Sequence, residues 1–194
     1  MFTEYVIELR KNLIKNYIYD LKNDIGSEWL NEKIDRFIEK HPFCTKEEIE
    51  QKISEGDKFV CSIFIKDPFK QNLIEKELSR LSDKLTRLPP VGKDCICFDS
   101  DGDINRSKLK KRTKSADFYY KGVYYSQRFT HENGGSQDNA SKDVQDFLRY
   151  GSKKSKVGAI LDGGYWTDQR IDELKQKFPK CIIKRADDFI VSYM

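Results

Sequence analysis

A chain of 194 residues and 22.8 kDa suits one compact domain, or one domain with an appendage, and excludes a multi-domain machine. Charged residues make up 35% and hydrophobic residues only 38%, yet twelve Phe and ten Tyr supply the bulky apolar surface of a core, which excludes wholesale disorder. The formal charge of +4, from 36 basic and 32 acidic residues, is mild, so a polyanionic partner has to be read from local clustering.

In chain order, Phe2, Val6, Leu9, Leu13, Tyr17, Ile18 and Leu21 recur at helical spacing and predict an amphipathic helix to about Lys22. Ser27 precedes a second helix through Trp29, Leu30, Ile34, Phe37 and Ile38 that stops before His41-Pro42. Thr45 with Glu48 forms a capping box for a third. A short apolar stretch from Phe59 to Ile65 leads to Asp67-Pro68, a cap and first-turn proline for a helix running to about Leu85. Leu88-Pro89-Pro90-Val91-Gly92 breaks that helix.

Beyond the break, Cys95 to Phe98, Ala116 to Tyr120 and Val123 to Thr130 are rich in aromatic and β-favouring residues and predict three strands. Lys121-Gly122 is a two-residue turn, so the second and third strands pair as an antiparallel hairpin. Gly134-Gly135 ends the third strand, and Ser136 starts a helix with Ala140, Val144, Phe147 and Leu148 inward, closing near Gly151. Val157 to Leu161 then reads as a buried strand, Thr167 to Phe178 as a helix, and Cys181 to Ile183 as a last strand. The expected fold class is α/β, a mixed central sheet flanked by helices, with an N-terminal helical segment over residues 1–55 and a core over residues 56–194.

No run approaches the roughly 20 apolar residues of a membrane span, and the acidic residues of MFTEYVIELRKN do not suit a signal peptide. The expectation is therefore a cytoplasmic protein that makes no use of a membrane. Five cysteines at positions 44, 61, 95, 97 and 181 lack paired CxxC spacing, and His41 and His131 offer little to a zinc site, so the cysteines read as reduced, mostly buried thiols.

Chemistry concentrates in the hairpin. Alternation along residues 123–130 puts Tyr124, Ser126, Arg128 and Thr130 on one face, and Asp117 lies on the preceding strand nine residues before Ser126. An acid beside a polar residue and a cation two apart is a geometry suited to metal-dependent phosphodiester cleavage, in which the acid binds a divalent ion and the cation steadies the attacking water or the transition-state charge. Just before this hairpin, Arg106 to Lys114 holds six cations in nine residues. Of these, Lys108, Lys110, Lys111, Arg112 and Lys114 are the candidate contacts to nucleic-acid phosphates. A looser cluster, Arg149, Lys153, Lys154 and Lys156, reads as the favourable charge of a helix C-terminus, and Asp162 before Gly163-Gly164 reads as a turn former.

Ala116-Asp117-Phe118, the short hairpin, Tyr125-Ser126-Gln127-Arg128-Phe129, the glycine-rich exit and the following helix together resemble the core of the PD-(D/E)xK nucleases, and specifically type II restriction endonucleases. Ala159-Ile160-Leu161-Asp162-Gly163-Gly164-Tyr165-Trp166 is similar to segments that follow the active site in some of these enzymes, and the likeness extends over about residues 67–185. The pattern departs from the family's where Ala116 stands for Pro and Ser126-Gln127-Arg128 for acid-x-Lys. In this respect it is similar to members that carry Ser-x-Lys and take the second acid from the next helix.

The resemblance implies a Mg2+-dependent endonuclease that cuts both strands of double-stranded DNA as a homodimer. Its catalytic residues would be Asp117, Ser126 and Arg128, with Asp143, Asp138 or Glu75 as the second acid. Asp117 with Asp143 or Asp138 would hold the metal. The competing reading is a non-catalytic DNA-binding protein derived from the same fold, because Arg is effectively never deprotonated and cannot serve as a general base.

Overall fold

The computed structural model describes residues 2–65, 70–81, 84–90, 92–106, 114–130 and 135–193. Its elements in chain order are α1 Phe2–Asn23, α2 Glu28–Lys40, α3 Lys46–Glu55, α4 Lys58–Phe64, α5 Lys70–Leu81, β1 Thr86–Arg87, β2 Cys97–Phe98, β3 Ile104–Asn105, β4 Lys114–Ser115, β5 Phe118–Tyr120, β6 Val123–Phe129, α6 Gly135–Gly151, β7 Val157–Asp162, α7 Asp168–Lys177, β8 Ile182–Arg185 and α8 Ala186–Tyr193. The α/β class, the mixed sheet flanked by helices and the N-terminal helices agree with the sequence reading.

The chain divides into two compact units, residues 7–69 and residues 1–6 with 70–194. The boundary expected at 55/56 thus falls at 69/70, and the first turn of α1 groups with the sheet. The helical unit closes over Leu21, Leu30, Ile34, Ile49, Ile53, Cys61 and Phe64. The Thr45–Glu48 capping box is formed, with Glu48 Oε2 accepting from Thr45 N at 2.9 Å, and Ser27 caps α2 through Leu30 N. The Phe59–Ile65 stretch is helical over Lys58–Phe64, with Asp57 as its cap. For α5 the proposed cap at Asp67-Pro68 lies outside the described residues, the described helix is Lys70–Leu81, and Leu85, the expected end, is not helical.

The sheet-bearing unit holds a five-stranded sheet in the order β1-β5-β6-β7-β8, in which β1/β5 and β5/β6 are antiparallel and β6/β7 and β7/β8 parallel. Lys121 and Gly122 both have positive φ, 45° and 84°, the backbone that a right-twisted two-residue hairpin requires. The parallel connections carry α6 and α7, whose Val144, Phe147, Leu148, Ile171 and Leu174 pack on Val157, Ala159, Leu161 and Ile183. On the other face Phe189 of α8 meets Tyr120 and Tyr125 edge-on. Gly158 is required there, since a Cβ would come within 2.6 Å of the Tyr125 ring and 2.4 Å of Ile182 O.

Two expectations are corrected. Cys97–Phe98 does not enter the central sheet but pairs with β3 and β4 in a separate three-stranded sheet. The strand expected over Ala116–Tyr120 is divided between the two sheets. Ala116 N donates to Ile96 O on the small-sheet side, and one residue later Asp117 N donates to Tyr125 O on the large one. Asp117 therefore sits where the backbone changes sheets, which frees its side chain from ordinary strand alternation. Of the cysteines, 61, 95 and 97 are buried and 44 and 181 half-buried, all as thiols.

Candidate active site

Asp117 is anchored through its main chain on both sides: its N–H donates to Tyr125 O at 2.8 Å and its carbonyl accepts from Leu88 N at 2.9 Å. Its side chain, 14% exposed, turns onto the start of the Ser126–Arg128 stretch of β6. Oδ2 accepts three hydrogen bonds, from Gln127 N at 2.8 Å, Arg128 Nη1 at 2.9 Å and Ser126 Oγ at 3.3 Å. Arg128 Nη1 also donates to Gln127 O at 2.7 Å, which fixes the guanidinium against the strand. The sequence reading of Asp117, Ser126 and Arg128 as neighbours describes this arrangement, and the main-chain donor of Gln127 is a member that residue types alone do not reveal.

Glu75 of α5 belongs to the same group. Its Oε2 accepts from Arg87 Nη2 of β1 at 2.7 Å, with the Glu75 side chain 13% exposed. Burial pushes the Asp117 carboxyl up from the ordinary aspartate value. The Arg128 charge and the Gln127 and Ser126 hydrogen bonds oppose this, and the Glu75 carboxylate adds to it. Two carboxylates thus feel each other in a partly dehydrated site, each held by its own arginine. Nothing in the sequence marks Arg87 for this role, since it sits in a two-residue strand beside Leu88-Pro89-Pro90.

The other candidates lie elsewhere or outside the description. Asp143, half-exposed on α6, pairs with Lys114 of β4, whose Nζ also stands 3.9 Å from Asp146. Helical spacing correctly put Asp143 beside the apolar stripe of α6, but that edge faces the small sheet. Lys114, expected to contact DNA phosphate, is engaged by these acids. The side chain of Asp138 and the residues Lys108, Lys110, Lys111 and Arg112 lie outside the described residues, as does His131. In the looser basic cluster, Arg149 pairs with Asp146 at 3.0 Å, Lys154 with Asp103 at 2.6 Å, and Lys153 donates to Ser100 O.

Among the described residues no group of three or more His, Cys, Asp or Glu side chains comes together to hold a metal ion, and no helix is long and apolar enough to cross a membrane. At Asp117 the oxygens present are its own carboxylate and the Ser126 hydroxyl bonded to it, with the Glu75 charge acting on it. Carboxylate oxygens are the ligand type of Mg2+, which takes one or two from the protein and fills its octahedral shell with water and phosphate oxygens. No protein-family model, curated protein or solved structure matches the chain.

Proposed function

We propose that the protein is a Mg2+-dependent, sequence-specific endonuclease of double-stranded DNA, of the type II restriction kind, that acts as a homodimer. The observation that carries this reading is the convergence of Gln127 N, Arg128 and Ser126 on one oxygen of Asp117, beside a second carboxylate, Glu75. The mixed sheet, with its acid-bearing hairpin and flanking helices, supports the likeness to the PD-(D/E)xK nucleases.

Asp117 and Glu75 would hold the metal, which supplies a polarised phosphate and a more acidic water when bound. The three donors orient the Asp117 carboxylate through Oδ2, so its other oxygen is presented in a fixed direction. Arg128 carries a permanent charge and accepts no proton. Its part is to neutralise the charge that grows on the phosphate in the transition state, a task for which a preorganised guanidinium is suited. Arg87 keeps Glu75 in place in the same way that Arg128 keeps Asp117.

The second reading, a non-catalytic DNA-binding protein, is favoured by the same arginines, which already balance both carboxylates. The two readings separate when the full chain is incubated with unmethylated plasmid in Mg2+ and in chelator. Discrete fragments that require Mg2+ support the nuclease. Retarded but uncut DNA in both conditions supports the binding protein and overturns the nuclease.

A further inference from the structure

Two helix faces of the same period meet in the helical unit. On α1, Lys11, Ile14, Lys15 and Ile18 recur at i, i+3, i+4 and i+7. On α4 and its C-cap, Lys58, Ser62 and Ile65 recur at i, i+4 and i+7. Together they line a groove of about 330 Å3. The helical rise gives it a length of about 10 Å along α1, and its volume is at the lower end of small-molecule sites.

The floor of the groove is apolar. Ile18 and Ile65 are half-buried and pack on the cluster that closes the helical unit, whereas Ile14, also half-buried, lies outside that cluster. Ile14 also stands outside the apolar spacing that predicts α1, so core packing does not account for it. Ser62 adds little polarity, because its hydroxyl donates to Phe59 O at 2.6 Å within α4.

The rim is cationic. Lys11, Lys15 and Lys58 are exposed, and no acid is among the described residues that line the groove. The acids beside these lysines are engaged. Glu8 pairs with Lys11 at 3.1 Å, on a surface where both side chains are more than half exposed and the pair is well screened. Asp57, next to Lys58 in the chain, caps α4 by accepting from Val60 N at 2.9 Å. Neither Lys15 nor Lys58 has an ion-pair partner among the described residues. Lysine stems lie along apolar surface and keep their ammonium groups in water, which puts positive charge at the mouth of an apolar cleft.

The complement of that arrangement is a molecule with an alkyl chain and an anionic head. A second copy of the chain docked on the same face would oppose lysine to lysine, since an isologous contact brings a patch against itself. A nucleic-acid backbone would set phosphates against the isoleucines. We propose that the groove between α1 and α4 binds an aliphatic carboxylate of medium chain length, with its chain on Ile14, Ile18 and Ile65 and its carboxylate at Lys15 and Lys58. The inference goes beyond the hydrolytic reading and does not depend on it.

The test is titration of the full chain with sodium octanoate, far below the concentration at which it forms micelles, followed by amide NMR shifts. Octanol and octylammonium are the controls of equal chain length. Octanoate should give saturable shifts centred on residues 11–18 and 58–65, and both controls should bind at least about fivefold more weakly. Lys15→Glu combined with Lys58→Glu should weaken octanoate by about tenfold and remove the preference over octylammonium. Ile14→Ser should weaken octanoate and octanol alike by about fourfold, the worth of about one buried methylene. Thermal unfolding checks that each variant folds, and the exposed lysine positions carry the test if Ile14→Ser does not. Shifts that fail to saturate by about 20 mM octanoate, shifts centred outside the two helices, equal binding of either control, or undiminished binding by the folded lysine variant each overturns the proposal. Dissociation of a dimer by octanoate, seen in sedimentation, would assign the groove to a second copy and overturn it as well.

Discussion

Replacing Arg128 by Met removes the countercharge of Asp117 while keeping most of the apolar length of the side chain. The pair is 2.9 Å apart with the side chains 14% and 27% exposed, so it is mostly but not wholly removed from water. Breaking a fully buried pair costs about 3–5 kcal/mol, and the residual exposure here brings the expected loss to about 2–3 kcal/mol at neutral pH. The loss has a pH signature. Asp117 has a raised carboxyl value in the folded protein, so the folded state holds the proton more tightly than the unfolded chain. The stability this contributes is complete below the unfolded carboxylate value and is lost as pH rises through the folded one. Without Arg128 that folded value rises further. The variant can therefore escape the penalty by protonating Asp117 in acid but not at neutral pH.

Urea unfolding at about pH 4.5 and about pH 7.5 measures this, with comparable slopes in denaturant for both proteins. The deficit should be small in acid and reach its full size at the higher pH, and Asp117→Asn combined with Arg128→Met should recover part of it. A deficit that is equal at the two pH values, or below about 0.5 kcal/mol at both, would refute the assignment of Arg128 as the countercharge of Asp117.

Three further outcomes are expected. Gly122→Ala, at φ 84° with open space where the Cβ would go, should destabilise by about 1 kcal/mol from backbone strain alone, measured by thermal unfolding. Gly158→Ala drives a methyl into Tyr125 and Ile182 O and should cost at least about 2–3 kcal/mol in urea, with a near-neutral result showing that β7 and β8 are not paired as described. Glu75→Gln should slow DNA cleavage by on the order of a hundredfold while Asp143→Asn leaves it nearly intact, and the reverse order would move the second acid to α6.

The hairpin was legible because its signals are local: β-favouring residues on either side of Lys121-Gly122 and a polar pair at alternate positions of one strand. The α6-β7-α7-β8 run was legible for the same reason, with caps, glycines and apolar stripes agreeing along the chain. What escaped depends on partners distant in sequence. Residues 95–98 read correctly as extended, but strand propensity does not name the neighbour, and Phe98 pairs with Ile104 and Lys114 rather than with the hairpin. The terminal helix was missed because Ala186-Asp187-Asp188 follows β8 without a loop, although acids in a first turn are a start signal.

At the site, Asp143 and Glu75 were both open as second acids. The periodicity of α6 fixed the angular position of Asp143 but not the identity of the surface opposite it, which turned out to carry Lys114. Glu75 was placed by the docking of α5 against β1 and β6, a packing that no short window of sequence encodes.

The central claim is that Asp117, held by Gln127 N, Ser126 and Arg128, is the hydrolytic centre. It is tested most directly by single-turnover cleavage of a DNA fragment containing the mapped site, in Mg2+, by the wild type and by Asp117→Asn, with DNA affinity measured in parallel. The carboxamide variant should bind DNA within about tenfold of the wild type, since no phosphate-binding cation is lost, and should cut at least about a hundredfold more slowly. Cleavage by Asp117→Asn at the wild-type rate would contradict the account and place the chemistry elsewhere in the fold.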